Sequence, residues 1–164
     1  MGELFEQAAA IKPRIDEKAG IIYRAHVLGN QSKWGYSYSP EAQQAVYKRY
    51  EQMAVGVDHD YESKPMRSKE ALGVLRNPTI DADGIWADLH YLKTHEMAPG
   101  MLEDIKRGTG IFALSSVNGK AVLRNNVITS FIPGRVDLVV GGGTTRTVLE
   151  QASAPAVTRS NSTN

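Results

Sequence analysis

The chain has 164 residues, 41% hydrophobic and 23% charged, which is room for one domain with a core of its own. Lys and Arg total 19 against 18 Asp and Glu, and the resulting net charge of +1 argues against a dedicated nucleic-acid binder and against polybasic membrane attachment. Cys is absent, so disulfides, thiolate metal sites and a Cys nucleophile are excluded, and no apolar run is long enough to span a bilayer. The opening MGELFEQAAAIKPRIDEK has no basic region followed by an apolar one, so no signal peptide is expected, and the composition reads as a soluble cytosolic domain.

Residues 1–19 read as a loosely ordered segment interrupted by Pro13. Residues 20–28 (GIIYRAHVL) are β-branched and aromatic and predict a strand, followed by a polar loop over 29–39. Ser39 then stands as N-cap, Pro40 at the first helical position and Glu41 in the first turn, with Ala42, Ala45, Val46 and Met53 as an apolar stripe. Residues 54–58 return to strand character, and the charged stretch 61–70 predicts a mobile loop bordering a substrate cleft. Strands over 71–80 and 85–91 flank Asp81-Ala82-Asp83-Gly84, whose Asp-Gly pair predicts a hairpin. Residues 94–108 predict a helix with Met97, Met101, Leu102 and Ile105 on one face and Gly108 as its stop.

Four short strands follow, over 111–117, 120–123, 127–131 and 135–140, with Arg124-Asn125-Asn126 as a turn. Gly141-Gly142-Gly143-Thr144-Thr145 is a loop, with a last helix over 145–151 as the ordinary continuation. Residues 151–164 have the composition of a disordered polar tail, which leaves 1–150 as the domain. The expected fold is α+β, a mostly antiparallel β-barrel flanked by helices.

No Walker loop and no G-x-S-x-G elbow is present. The stretch 81–84 lacks the Glu of an EF-hand loop, and His26, His59, His90 and His95 show no His-x-x-x-His spacing, so neither metal nor cofactor is expected. Three polar positions interrupt apolar strands: His59 in AVGVDHD, the pair Ser115-Ser116 in IFALSSV, and Asp137 in RVDLVV. Singly, each has an ordinary structural reading as a hydrogen-bonded core histidine, a small strand hydroxyl and a carboxylate paired with histidine or arginine. Together they supply the residue types of a Ser-His-Asp set. A serine needs a base to take its proton, and the base needs an acceptor to fix its tautomer. Alternation alone leaves open which serine would serve, since both faces of 111–117 are apolar.

Residues 36–150 resemble the prohead maturation proteases of tailed bacteriophages, which share a fold with the herpesvirus capsid maturation protease, assemblin. SKWGYSYSPEAQQAVYKRYEQMAVGVDH is similar to the segment leading to that family's catalytic His. GVLRNPTIDADGIWADLHYLKTHEMAPGMLEDI is similar to its hairpin and following helix, IFALSSV to its nucleophile strand, and RVDLVV to its last conserved strand. The separation of 56 residues between His59 and Ser115 suits the family, while Ala113 stands for its usual Gly and GGGTT for its usual Pro-Ala.

The resemblance implies Ser115 as nucleophile, with Ser116 structural, and His59 as general base. It implies Asp137 as third member, with Asp88 or His95 as alternatives. Gly141, Gly142, Gly143 and Arg146 become the candidate oxyanion and substrate loop. The implied function is a serine endopeptidase that cleaves scaffold, capsid-precursor protein and itself during viral prohead maturation. It would act inside the procapsid in the host cytoplasm, as a homo-oligomer without nucleic-acid or membrane partners. Self-cleavage is expected at Ala152–Ser153, or else at Glu150–Gln151. A scaffold-associated protein that keeps the fold without the chemistry is the alternative.

Overall fold

A computed structural model of the chain describes residues 14–58 and 65–150. Its strands are β1 (Ile15–Asp16), β2 (Ile21–Gly29), β3 (Ser37–Tyr38), β4 (Ala54–Val57), β5 (Gly73–Asp81), β6 (Gly84–Tyr91), β7 (Phe112–Arg124) and β8 (Val127–Val140). Its α-helices are α1 (Pro40–Val46) and α2 (Ala98–Arg107). The strands form one sheet in the order β1-β2-β6-β5-β4-β8-β3, with β7 paired to β8. Pairing is antiparallel except where β3 and β4 run parallel to β8. The core lies inside the curl of this sheet: Ile22, Val27, Leu75, Leu89, Leu114, Val136 and Leu138 pack with Val46 of α1 and Met101 and Ile105 of α2.

The α+β class and the antiparallel bias are as the sequence predicts, but the barrel is not closed. Among the described residues β2 and β7 share no ladder, although Ser116 Oγ donates to the Val27 carbonyl at 3.2 Å. Backbone groups on both strands instead bond the segment that follows β8. Gly29 N–H donates to Thr144 Oγ1 at 2.8 Å, His26 N–H to the Val148 carbonyl at 2.9 Å, and Thr145 Oγ1 donates to the Leu114 carbonyl. The helix expected from residue 145 is absent up to Glu150, because the Val148 carbonyl turns to His26 and the Arg146 and Thr147 N–H groups to the Glu150 carboxylate.

Local chemistry explains the elements that match and those that differ. Ser39 Oγ accepts from Ala42 N–H at 3.0 Å and caps α1 as expected. The helix ends at Val46 and tightens into a 3₁₀ turn over Tyr47–Tyr50, so the stripe shifts: Ala45 is exposed and Gln43 buried. The Gln43 amide nitrogen donates to Asn30 Oδ1 at 2.8 Å and to the Tyr38 carbonyl at 3.2 Å. The four short strands expected after residue 110 are two long ones, joined at Asn125-Asn126, both left-handed. Register shifts carry β7 past Val117, and Pro133 sits in β8 between the stretches paired to β3 and β4. There a missing N–H breaks no ladder on that side.

Asp104, buried near the end of α2, fixes the start of β7. It accepts from Thr109 Oγ1 at 2.6 Å, Ile111 N–H at 2.8 Å and Phe112 N–H at 3.0 Å. Gly108, left-handed at φ 66, ends the helix and turns the chain back to meet it. Asp104→Ala strands these donors and should lower stability by about 2–3 kcal/mol in urea unfolding. Asp104→Asn, which keeps acceptor capacity, should lose less.

Candidate active site

Ser115 on β7 pairs with Asp137 on β8, and Asp137 pairs in turn with Gly56 on β4. Cross-strand partners share a face, so the serine and the aspartate lie side by side. Gly56 makes room for the carboxylate: a Cβ there would stand 2.7 Å from Asp137 Oδ1 and 3.0 Å from Arg135 Nη2. Met66, from the described end of the 61–70 stretch, has its methyl 2.9 Å from the same point and covers the row.

The two serines are distinguished by their surroundings. Ser116 is bonded to the β2 carbonyl, a structural use. Ser115 is 8% exposed, and its hydroxyl has no hydrogen-bond partner among the described residues. Gly143 is its neighbour: a Cβ on that glycine would stand 4.0 Å from Ser115 Oγ and 3.0 Å from the Trp34 ring. The glycine loop is held there by Lys33 N–H, which donates to the Gly143 carbonyl at 2.9 Å. Gly141 is left-handed at φ 77, and Trp34, 66% exposed, flanks the loop on its solvent side.

Asp137 is fully buried and forms a two-pronged pair with Arg135, with Nε to Oδ2 and Nη2 to Oδ1 both at 2.6 Å. Arginine is thus one partner of the strand carboxylate. Each carboxylate oxygen has a second lone pair, so this pair does not exhaust its acceptor capacity.

The other predicted residues fall as follows. His59 lies outside the described residues; β4, which leads to it, pairs with Val136–Leu138, and Asp58 N–H donates to the Leu138 carbonyl at 3.0 Å. Asp88 accepts from Arg24 N–H at 2.9 Å and Asn77 Nδ2 at 3.1 Å, on the β2–β6–β5 side. The His95 ring accepts from Met97 N–H at 3.0 Å and lies 3.2 Å from the Lys69 carbonyl. Of the three candidates for third member, Asp137, Asp88 and His95, Asp137 alone stands in the row with Ser115. Arg146 is exposed, and its backbone N–H donates to Glu150 Oε2 at 2.7 Å. Residues 151–164 lie outside the described residues, and with them the Ala152–Ser153 junction and the Gln151 side of Glu150–Gln151.

Sequence reasoning missed the partnership of His26 with Glu150. The ring Nδ1 lies 2.7 Å from Glu150 Oε2, and the ring stacks on Trp86 at 4.1 Å between centroids. Its only sequence signal is a histidine inside an apolar strand, which does not name a partner 124 residues away. A groove of about 510 Å³ lined by Glu17, Tyr91, Leu102 and Lys106 lies along α2 and contains none of the candidate residues. No known protein family, curated protein or solved structure matches the chain.

Burial works to raise the Glu150 carboxyl, but the His26 ring and the Arg146 and Thr147 backbone N–H groups outweigh it and hold it below its ordinary value. A carboxyl lowered in the folded state stabilises the fold above its unfolded pKa and loses that effect as pH falls through the folded value. The gap in denaturation midpoint between wild type and Glu150→Gln should therefore be full near pH 7 and close below about pH 4, where carboxyls protonate.

Proposed function

We propose that the chain is a serine endopeptidase of the prohead-maturation kind. Ser115 is the nucleophile, His59 the general base and Asp137 the third member. The observation that carries the reading is the Ser115 hydroxyl: unbonded among the described residues, in one row with a buried aspartate, and beside the backbone of a glycine run. Structural hydroxyls in strands ordinarily bond a neighbouring backbone group, as Ser116 does.

In this mechanism His59 takes the Ser115 proton as Oγ attacks the peptide carbonyl carbon. The carbonyl oxygen becomes an oxyanion, which the N–H groups of the 141–143 run stabilise. The C–N bond breaks with the proton passing from His59 to the leaving amine, and water, activated by the same histidine, hydrolyses the acyl-enzyme. Asp137 orients the imidazole. Trp34, exposed beside Gly143, offers an apolar wall to a substrate side chain. The substrates are scaffold and major capsid precursor inside the procapsid, and the chain itself after Ala152 or Glu150, with the enzyme assembled as a homo-oligomer.

The Arg135–Asp137 pair favours a second reading, in which the aspartate is structural and the protein is an inactive, scaffold-associated member of the same herpesvirus-protease-like fold. Covalent labelling separates the two: a fluorophosphonate should modify wild type at Ser115 and leave the inactive protein untouched. Ser115→Ala should abolish labelling and self-processing, while Ser116→Ala keeps most of both. Intact mass after long incubation reads the processing, and a full-length mass in wild type counts against self-cleavage.

Asp137→Asn tests the third member, and the ion pair adds a cost. Removing the charge of one partner of a buried pair is destabilising, so the variant should lose about 3 kcal/mol in urea unfolding. In the folded protein its labelling rate should fall by as much as ~10⁴. A loss of stability with the labelling rate retained would make the aspartate structural.

A further inference from the structure

We propose that His26 and Glu150 are positioning residues, whose pairing fastens the 143–150 segment into the β2–β7 seam and so sets the glycine loop beside Ser115. The role for the loop rests on the protease reading; the fastening does not.

The two halves of the pair are held differently. His26 is 5% exposed and sits in β2, where its ring stacks on Trp86 with an interplanar angle of 22°. Trp86 is itself fixed: its indole N–H donates to Asp81 Oδ1 at 2.9 Å, and the Arg24 guanidinium, paired with Asp81 at 2.6 Å, lies 4.2 Å over its ring. The second ring nitrogen, Nε2, lies 3.1 Å from the Asp83 carbonyl. The histidine is therefore held by β6 and the β5–β6 turn whether or not Glu150 is present.

Glu150 stands at the far end of a stretch without helix or strand. Its carboxylate gathers the His26 ring and the N–H groups of Arg146 and Thr147, which folds the end of the segment upon itself and ties it to β2. From there the attachment runs back toward the loop. Val148 is buried and its carbonyl takes His26 N–H; Thr144 takes Gly29 N–H; Gly143 takes Lys33 N–H; and Thr145 reaches the Leu114 carbonyl, next to Ser115. Gly29 permits the approach, since a Cβ there would overlap the Thr144 carbonyl oxygen. Of these bonds only that to Glu150 involves a charged acceptor, and charge-assisted bonds are about twice as strong as neutral ones.

Hydrogen exchange on the full chain tests the fastening directly, because the amides of Gly29 and Lys33 have acceptors on the loop itself. In Glu150→Ala and in His26→Ala these two amides should exchange at least tenfold faster. Those of Leu72 and Leu75, bonded to the Val55 and Met53 carbonyls, should be unchanged. Combining the two substitutions should add little. Glu150→Gln keeps an acceptor without the charge; it should show a smaller acceleration and carries the test should the alanine variants not fold. Unchanged exchange at Gly29 and Lys33 overturns the proposal.

Fluorophosphonate labelling supplies the second readout. Ser115 should label about tenfold more slowly in Glu150→Ala, with partial recovery in Glu150→Gln. Faster exchange with labelling at the wild-type rate overturns the positioning role. A wild type that takes no label removes the protease reading, and the exchange rates then decide the fastening alone.

Discussion

An unpaired strand edge leaves backbone N–H and C=O groups that need partners. Two such edges, on β2 and β7, approach one another in this molecule without forming a ladder, and the remaining architecture accommodates that gap. The segment after β8 fills it from Gly143 to Glu150, bonding β2 through Gly29 and His26 and β7 through the Leu114 carbonyl. The same filling brings a glycine loop to Ser115, a buried strand serine whose hydroxyl has no bond among the described residues. The open sheet and the candidate site thus share one cause.

Where a feature is set by neighbours in sequence, the residues announce it. The β5–β6 hairpin follows from Asp83-Gly84, with Asp81 opposite Gly84. The α1 cap follows from Ser39, and the end of α2 from Gly108. Features set across the fold are silent. Pro133 reads as a strand break because the sequence does not say which side of β8 lacks a partner there. Gln43 is absent from the predicted apolar stripe, because its burial depends on Asn30, a partner in a distant loop. The run after Gly143 reads as a helix because helix propensity is local, whereas its Val148 carbonyl is claimed by β2 and its Arg146 and Thr147 N–H groups by Glu150, which His26 holds from across the seam.

The candidate site divides in the same way. Strand parity separates Ser115 from Ser116 without choosing between them, and the choice depends on what covers each face. Asp137 is visible as a carboxylate in an apolar strand, and its need for a partner follows from desolvation alone. That Arg135, two residues earlier on the same strand, supplies one is an adjacency the sequence does contain. Strand neighbours at that spacing share a face, so an arginine there is the nearest cation available.

Beyond Val117 the hairpin of β7 and β8 carries exposed Val122 and Leu123 on β7, which among the described residues pairs with β8 alone. A flat edge of that composition would template other chains and seed aggregates. Here the register with β8 slips between Val117 and Asn118, between Gly119 and Val122, and again between Val122 and Leu123, and Lys120 is left-handed at φ 50. The free amides therefore point in uneven directions, and no second strand can follow them for long. Deleting the bulged residues would leave the core intact and straighten the edge, and the damage would appear as self-association and not as unfolding.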